Sequence, residues 1–439
     1  MSFRIRPLLL IFLSFLVVLI FSGKARTQSL SAQQLNQEGF VFLYNGAAAE
    51  ALSSWQQAEE LYRNQNNLEG VTGTQLNQAL AEQSLGLYPR ACTTITQAIA
   101  IPDQTCQPNY GEDAVLSSLS KIELTDVNRT GIRLLGENLR LIGNLAEAES
   151  ALTFAWAQPD PDSLEASQIA LALGGVHHFA AKAAIQSYAR VSPREVQSRT
   201  EIVSEINSQL EQAMSSYRSA AGSDDAEIST KATLNLIELL VGAAVNTSLP
   251  QSSISAGVSS QLSSDAAMAY SQLGRTDFDQ LPAIDSIYGR LNLAGNLIAA
   301  SQSEKARSLF GSAMDSSETE RWVAGATALA EKIDDKRALS FAYGTAAELE
   351  ALQSASTIAV DAQYAQALAL AQSVQAFDIS YDWAYRLAQL SETAGRDDKA
   401  AEYYESALTA LDQVREDLVA VNSELRFDVA LKIEPVYRD

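Results

Sequence analysis

The sequence predicts an all-α fold, an α-solenoid of antiparallel helix pairs forming a right-handed superhelix. Two observations predict it. The first is composition: among 439 residues only ten are proline, 47% are apolar, and Ala, Leu, Gln and Glu are abundant while β-branched runs are few. Such a chain favours helix throughout and leaves almost no strand. The second is a spacing that recurs five times: a small residue, a turn residue, a second small residue, a bulky residue and an alanine. The copies are Gly39/Gly46/Ala51/Trp55/Ala58, Ala79/Gly86/Ala91/Ile95/Ala98, Gly136/Gly143/Ala148/Leu152/Ala155, Ala294/Ser301/Ala306/Phe310/Ala313 and Ala388/Gly395/Ala400/Tyr404/Ala407. Glycine at the second place stops one helix, and the small residues let two helix axes approach closely. A solenoid also suits the length, because each pair buries its face on its neighbours and no single large core is needed.

This arithmetic is that of the tetratricopeptide repeat (TPR). In chain order, a pair is expected over Leu35–Tyr62 and a second over Gln75–Ile101, joined by the polar run Asn64 to Asn67. A loop with Pro102, Pro108 and Gly111 interrupts the stacking before a third pair, Ile132–Trp156, which stops at Pro159-Asp160-Pro161-Asp162 because no helix crosses that run. Ser163 then reads as an N-cap. From Ser163 to Ala221 the pattern stays helical while the Gly/Ala phase is lost. After a turn at Gly222 to Asp225 and a further helix, the Ser-rich stretch 248–264 reads as a loop or hinge. The phase returns over Ile287–Met314, continues through Arg337–Ala371 and ends with Tyr381–Leu411 and a long final helix. The organisation expected is therefore an N-terminal array over 32–247, the loop 248–264 and a C-terminal array over 265–439.

The balance of 31 basic and 53 acidic residues gives a net charge of −22, which repels phosphate backbones and anionic head groups and argues against nucleic-acid binding. The acidity is dispersed and reads as solvated helix faces. At the N-terminus, Arg4 and Arg6 precede an uncharged run from Leu8 to Ser22 and the small residues Gly23 and Ala25, the arrangement of a signal peptide over 1–25. Fifteen helical residues rise only about 22 Å, short of a hydrocarbon core of roughly 30 Å, so cleavage is favoured over the alternative, an anchor retained at residues 8–22. Cleavage after Ala25 would take the net charge from −22 to −25. The expected location is periplasmic or extracellular.

The two cysteines, Cys92 and Cys106, could close a loop and stabilise an exported chain by about 3 kcal/mol. The other reading is two unreactive thiols. His177 and His178 are adjacent, so on a helix their side chains diverge by about 100° and cannot chelate one ion together. There is no Gly-rich phosphate loop, no His-Glu-x-x-His and no Gly-x-Ser-x-Gly elbow. Asp160 with Asp162 and Asp397 with Asp398 lack the alternating ligands of a calcium loop and read as turn chemistry. Asn128-Arg129-Thr130 and Asn246-Thr247-Ser248 match a glycan acceptor by their short pattern only. No catalytic, cofactor or metal residue is assigned, and no enzyme activity is expected.

Longer strings resemble a family. Ala283 to Ala294 (AIDSIYGRLNLA), Asp335 to Gly344, Asp378 to Trp383, and Arg415 to Asn422 leading to Glu434-Pro435-Val436-Tyr437-Arg438 resemble the TPR half of cyanobacterial-type CHAT-domain proteins. Leu85 to Tyr88 and Leu134 to Gly143 are similar to the same family. In that family the array precedes a caspase-like module whose His and Cys cleave peptide bonds. None of His177, His178, Cys92 and Cys106 carries over to that dyad, since all four lie within the helical array. What the resemblance implies is the recognition half without its CHAT module, as a split member, a degenerate member or a gene fragment.

The function expected is thus a non-catalytic extracytoplasmic scaffold whose concave face, lined by the first helices of the pairs, holds a protein or peptide partner. The alternative is the regulatory half of a CHAT protease acting with a separate catalytic module. Arg140, Arg290 and Arg386 lie on first helices, where they could meet carboxylates.

Overall fold

The computed structural model describes residues 30–108, 110–157, 163–192, 194–245, 254–310, 316–353 and 357–418. The N-terminal segment 1–25, the turn residues Pro159 to Asp162, the sequence Asn246-Thr247-Ser248 and the terminal run from Glu434 lie outside the described residues. The chain is an all-α solenoid, a right-handed superhelix of TPR-like pairs, with eighteen helices and no strand among the described residues.

The first helix starts at a reciprocal capping box. Ser31 Oγ accepts the Gln34 amide at 3.2 Å, and Gln34 Oε1 accepts the Ser31 amide at 2.9 Å. From there α1 (Ala32–Tyr44) runs to Gly46, whose φ of +79° is left-handed and needs a residue without Cβ, and α2 (Ala48–Asn64) returns antiparallel. The same device at Gly86 separates α3 (Leu68–Ser84) from α4 (Tyr88–Ala98). A short helix, α5 (Glu112–Leu119), follows and packs on α7 (Leu145–Trp156), which Gly143 separates from α6 (Asp126–Leu141). Ala51, Ala91 and Ala148 are buried on the second helices of these pairs. Each pair is locked by a ring or branched side chain seated over a small residue. A Cβ at Gly39 would overlap the Trp55 ring, and one at Gly136 would overlap Leu152. Burial of a side chain of this size contributes about 1.5–3 kcal/mol.

The bridge between Cys92 and Cys106 spans 5.9 Å between Cα atoms. It ties fully buried Cys92 of α4 to the end of a 3-10 turn, Asp103–Cys106, and Thr96 Oγ1 donates to Asp103 Oδ1 at 2.9 Å beside it. The loop between the second and third pairs is therefore fixed to the core.

The middle of the chain departs from the regular length. Ser163 caps α8 (Leu164–Arg190) by accepting the Ala166 amide at 3.1 Å, and α8 packs along α9 (Val196–Ala221); these helices have 27 and 26 residues. The small-residue slot survives: a Cβ at Gly174 would overlap the Tyr217 ring. What differs is the length of the two helices, which puts the bulky residue far along the second one. The following pair is α10 (Ala226–Val245) and α11 (Ala256–Leu273).

Here the loop expected over 248–264 is corrected. Residues 256–264 form the first half of α11, because Ser255 Oγ accepts the Val258 amide at 3.2 Å, and Val258, Leu262, Ala266, Ala269 and Leu273 are buried at helical spacing. One hydrophobic cluster runs from Ala181 to Ala306 across the place where a hinge was expected.

The fourth copy also differs from expectation. After α12 (Ala283–Ser301), the second helix α13 ends at Phe310; Ala306 is buried on it, and Ala313 lies outside the described residues. The long partner of α12 is α14 (Ser316–Lys332), against which Arg290 rests over Gly325. The array ends with α15 (Lys336–Gln353), α16 (Thr357–Ser373), α17 (Phe377–Thr393) and α18 (Asp397–Leu418), with Gly395 left-handed before α18 and Ala400 buried on it. Turns between pairs take a smaller positive φ without glycine, 55° at Asn66, 56° at Asp334 and 55° at Gln375.

Candidate functional site

Curvature selects the surface. First helices touch first helices in unbroken series from α3 through α6, α8, α10 and α12 to α15, whereas the second helices form no such series and meet chiefly at α9–α11 and α11–α13. The array must bend toward the side whose members lie closer together, so the first helices form the inner wall.

Polar side chains link that wall from helix to helix. Asn77 of α3 donates to Asn36 Oδ1 of α1 at 2.9 Å. Arg133 of α6 meets Glu165 of α8 at 3.0 Å and Glu137 of its own helix at 2.6 Å. Lys182 of α8 meets Glu238 of α10 at 2.8 Å, and Glu238 is also hydrogen-bonded to Asn292 of α12. Arg386 of α17 meets Glu348 of α15 at 2.6 Å. Each of these cations is engaged by a carboxylate, and Arg133 and Arg386 each meet two.

Between these links the backbone is bare. Gly73, Gly242 and Gly295 sit inside α3, α10 and α12, and nothing lies within 4 Å of where a Cβ would stand. Each shares a helix face with a link residue, Asn77, Glu238 and Asn292 respectively, because residues three or four apart are neighbours on a helix. A glycine inside a helix costs about 0.5–1 kcal/mol relative to alanine. Three such positions on one wall give up stability and leave room for close approach to the helix backbone.

The electrostatics centre on α8 and α10. Burial, with Lys182 and Arg140 nearby, pushes His178 down to about 3, so its imidazole is neutral at pH 7; its Nδ1 lies 3.3 Å from the Tyr217 hydroxyl. Glu238 is held down to about 2: burial opposes its charge, and the neighbouring Lys182 and His178 outweigh that. At Arg133, burial disfavours the charged form but Glu137 and Glu165 raise its pKa overall.

The residues singled out by the sequence fall around this wall and into the core. Arg290 pairs with Asp279 at 2.6 Å, Arg386 with Glu348 and with Asp382 at 3.5 Å, and Arg140 lies over Gly175. His177 is buried with Nδ1 2.9 Å from Gln209 Oε1, so the pair His177 and His178 belongs to the α8/α9 packing. His177→Ala should therefore lose about 1–3 kcal/mol of stability, measurable by urea unfolding, since Gln209 loses its partner. Asp397 and Asp398 open α18, where the positive end of the helix dipole favours carboxylates. Among the described residues no group of three or more His, Cys, Asp and Glu side chains is placed to hold a metal ion.

Lys182, Glu238, Asn292, Asn36 and Asn77 were not singled out by sequence reasoning. A signal was present in mid-helix glycines outside the repeat's small-residue places, Gly73, Gly242 and Gly295 among them, which break helix propensity with no turn to explain them.

No protein-family model matches the sequence, and no curated protein is similar to it at a significant level. Several solved helical structures are similar in outline. BtubC from P. vanneervenii is 14% identical, with 54% of this chain and 91% of that one covered and a TM-score of 0.33. A Rap protein complexed with competence and sporulation factor is 12% identical, over 88% of this chain and 99% of that one, with a TM-score of 0.32. Yeast Tom70 is 12% identical, over 92% and 98%, with a TM-score of 0.21. At such low scores these bear on neither site nor partner, and the TPR-like assignment rests on the helices of this chain.

Proposed function

We propose that this chain is a non-catalytic scaffold that holds an extended protein segment against its inner wall. The observation that carries the reading is the bare backbone at Gly73, Gly242 and Gly295 beside the links Asn36–Asn77 and Lys182–Glu238–Asn292. An extended segment can approach helix backbone there, and an array of first helices offers it a long concave surface. The cations of the wall are already engaged by carboxylates, and the overall charge of −22 favours encounter with a basic segment.

The test is a pull-down from envelope extract with the chain from Arg26 onward as bait, compared with Gly242→Trp and Gly295→Trp, which fill the wall, and Glu211→Trp on exposed α9. Loss of the same prey in both wall variants, with retention in Glu211→Trp, supports the scaffold. Prey unchanged in all three would sink it.

The finer reading adds export and a CHAT partner. The basic residues and apolar run at the N-terminus, together with the Cys92–Cys106 bridge, support an extracytoplasmic site of action. Cleavage after Ala25 is checked by N-terminal sequencing of the cell-fractionated protein. The strings that resemble CHAT-domain proteins support the recognition half of a split protease, and a caspase-like module as main prey would favour it over a free-standing adaptor.

A further inference from the structure

A cavity of about 680 Å³ opens at the N-terminal end of α10, between the turn that precedes that helix, the end of α11 and the loop into α12. That volume falls within the roughly 300–1,000 Å³ of small-molecule sites. Eight residues separate Thr230 on the cavity wall from Glu238, about 12 Å along α10, so the cavity lies apart from the inner-wall links.

Part of its lining is held in place by the fold. Gln272 Nε2 donates to Ser229 Oγ at 2.9 Å and to the Ala221 carbonyl at 3.2 Å, and Ser229 Oγ donates to that same carbonyl at 2.8 Å. Thr276 Oγ1 donates to the Gln272 carbonyl at 3.3 Å. Two groups stand apart from this network. Thr230 is only 5% exposed, yet its hydroxyl makes no hydrogen bond among the described residues, where buried polar groups are ordinarily paired. Asp224, at the rim, makes no ion pair among the described residues.

The chemistry of the lining selects the ligand. A metal ion is disfavoured because no three ligating side chains converge among the described residues, and both Asp277 oxygens are occupied, by the Asp279 amide at 3.1 Å and by Gln280 Nε2 at 3.0 Å. An anion would meet Asp224 and Asp277 against one cation, Arg275, which already donates to Ser271 Oγ at 2.8 Å. Nor is the start of α10 open to it, since Asp225 accepts the Ile228 amide there at 2.9 Å. An apolar ligand would bury the hydroxyls of Ser223, Ser229, Thr230, Ser271 and Thr276 against nothing that bonds them. A neutral polyhydroxyl ligand suits the lining, because each hydroxyl both donates and accepts. Met268, 55% exposed, adds a polarizable apolar surface for the C–H face of a ring.

We propose that this cavity binds a short neutral sugar. Asp224 accepts from adjacent sugar hydroxyls, Thr230 bonds the ring from below, and Met268 lies against its C–H face. This site is independent of the scaffold reading.

The test is saturation-transfer NMR on the full chain with maltotriose, cellotriose and chitotriose, and with inorganic phosphate as the contrasting probe. Transfer to at least one trisaccharide is expected. Thr230→Val keeps the side-chain shape and removes the hydroxyl, so affinity should fall about three- to tenfold at unchanged melting temperature. Ala226→Trp, at an exposed lining position, fills the cavity without touching the core and should abolish the transfer. No transfer to any of the three sugars overturns the site, as does phosphate binding in their place or equal transfer in the parent and both variants. Prey capture reads the other site: Ala226→Trp should lose sugar and keep prey, whereas the wall variants should do the reverse.

Discussion

The first pair and the central pair make the same contact by different routes. In α1/α2, Gly39 receives Trp55 across a turn at Gly46, and the ring also donates to the Asn36 carbonyl at 3.0 Å. In α8/α9, Gly174 receives Tyr217 across a longer loop between helices of 27 and 26 residues. The unit of this architecture is therefore a slot filled by a ring, and the residue count between slot and ring is free to vary. Length brings a second difference. The central helices join one cluster that reaches Ala306, whereas Trp55 of the first pair sits in a small cluster shared with Ala81 of α3.

The sharpest test fills both slots. Gly174→Leu forces Tyr217 out of the core and should destabilise by about 3 kcal/mol, since overpacking of this kind typically costs 1–3 kcal/mol. Gly39→Leu should lower hydrogen-exchange protection in α1, α2 and α3. If protection in the centre also fell, the two clusters would not be independent.

Next in size is the bridge. Cys92→Ser with Cys106→Ser should cost about 3 kcal/mol by releasing the loop entropy of the unfolded chain, and the loss should appear in α3 to α7 ahead of the central pair. Equal melting of both regions would argue against a local role.

Acid separates the regions by pH range. His178 has its folded value lowered from 6.5 to about 3, so its contribution is intact above pH 6.5 and declines as pH falls toward 3, because only the unfolded chain gains the proton. Glu238, lowered from 4.5 to about 2, adds a loss that begins near pH 4.5 and runs in the same direction. In the first pair, burial opposes the charge of Glu59, but Gln78, Arg63 and Gln75 lower its value overall, and there is no histidine. Protection should thus fall from about pH 6.5 in α8 and α9, and only in the carboxylate range in α1 and α2. His178→Phe should remove the early part.

The smallest expected effect is at Gln375, whose φ of +55° strains a residue with a Cβ. Gln375→Gly should raise stability by about 0.5–1 kcal/mol in chemical unfolding. The same change at Asn66 should give less, since asparagine tolerates that backbone better.

Local signals were legible where one short-range rule suffices. Gly46, Gly86, Gly143 and Gly395 stand at left-handed turns, and Ser163 caps the helix after it. Position 301 shows the limit: Ser301 ends α12, yet the long helix that packs on α12 begins only at Ser316. The serines of 256–264 hid a helix because composition weighs each residue equally, while Val258 and Leu262 alone face the core. The inner-wall links were hidden for another reason, since Lys182 and Glu238 are ordinary surface residues until two helices bring them within 2.8 Å.

The sequence by itself determined the helices, their turns and the solenoid class, because caps, left-handed glycines and small-residue spacing act over a few residues of chain. Only the tertiary structure decided which slot Tyr217 fills, that α14 rather than α13 is the long partner of α12, which side chains link the inner wall, and that Gly46 meets Ile284. Those contacts join residues far apart in sequence, and their existence depends on the curvature accumulated over every pair between them.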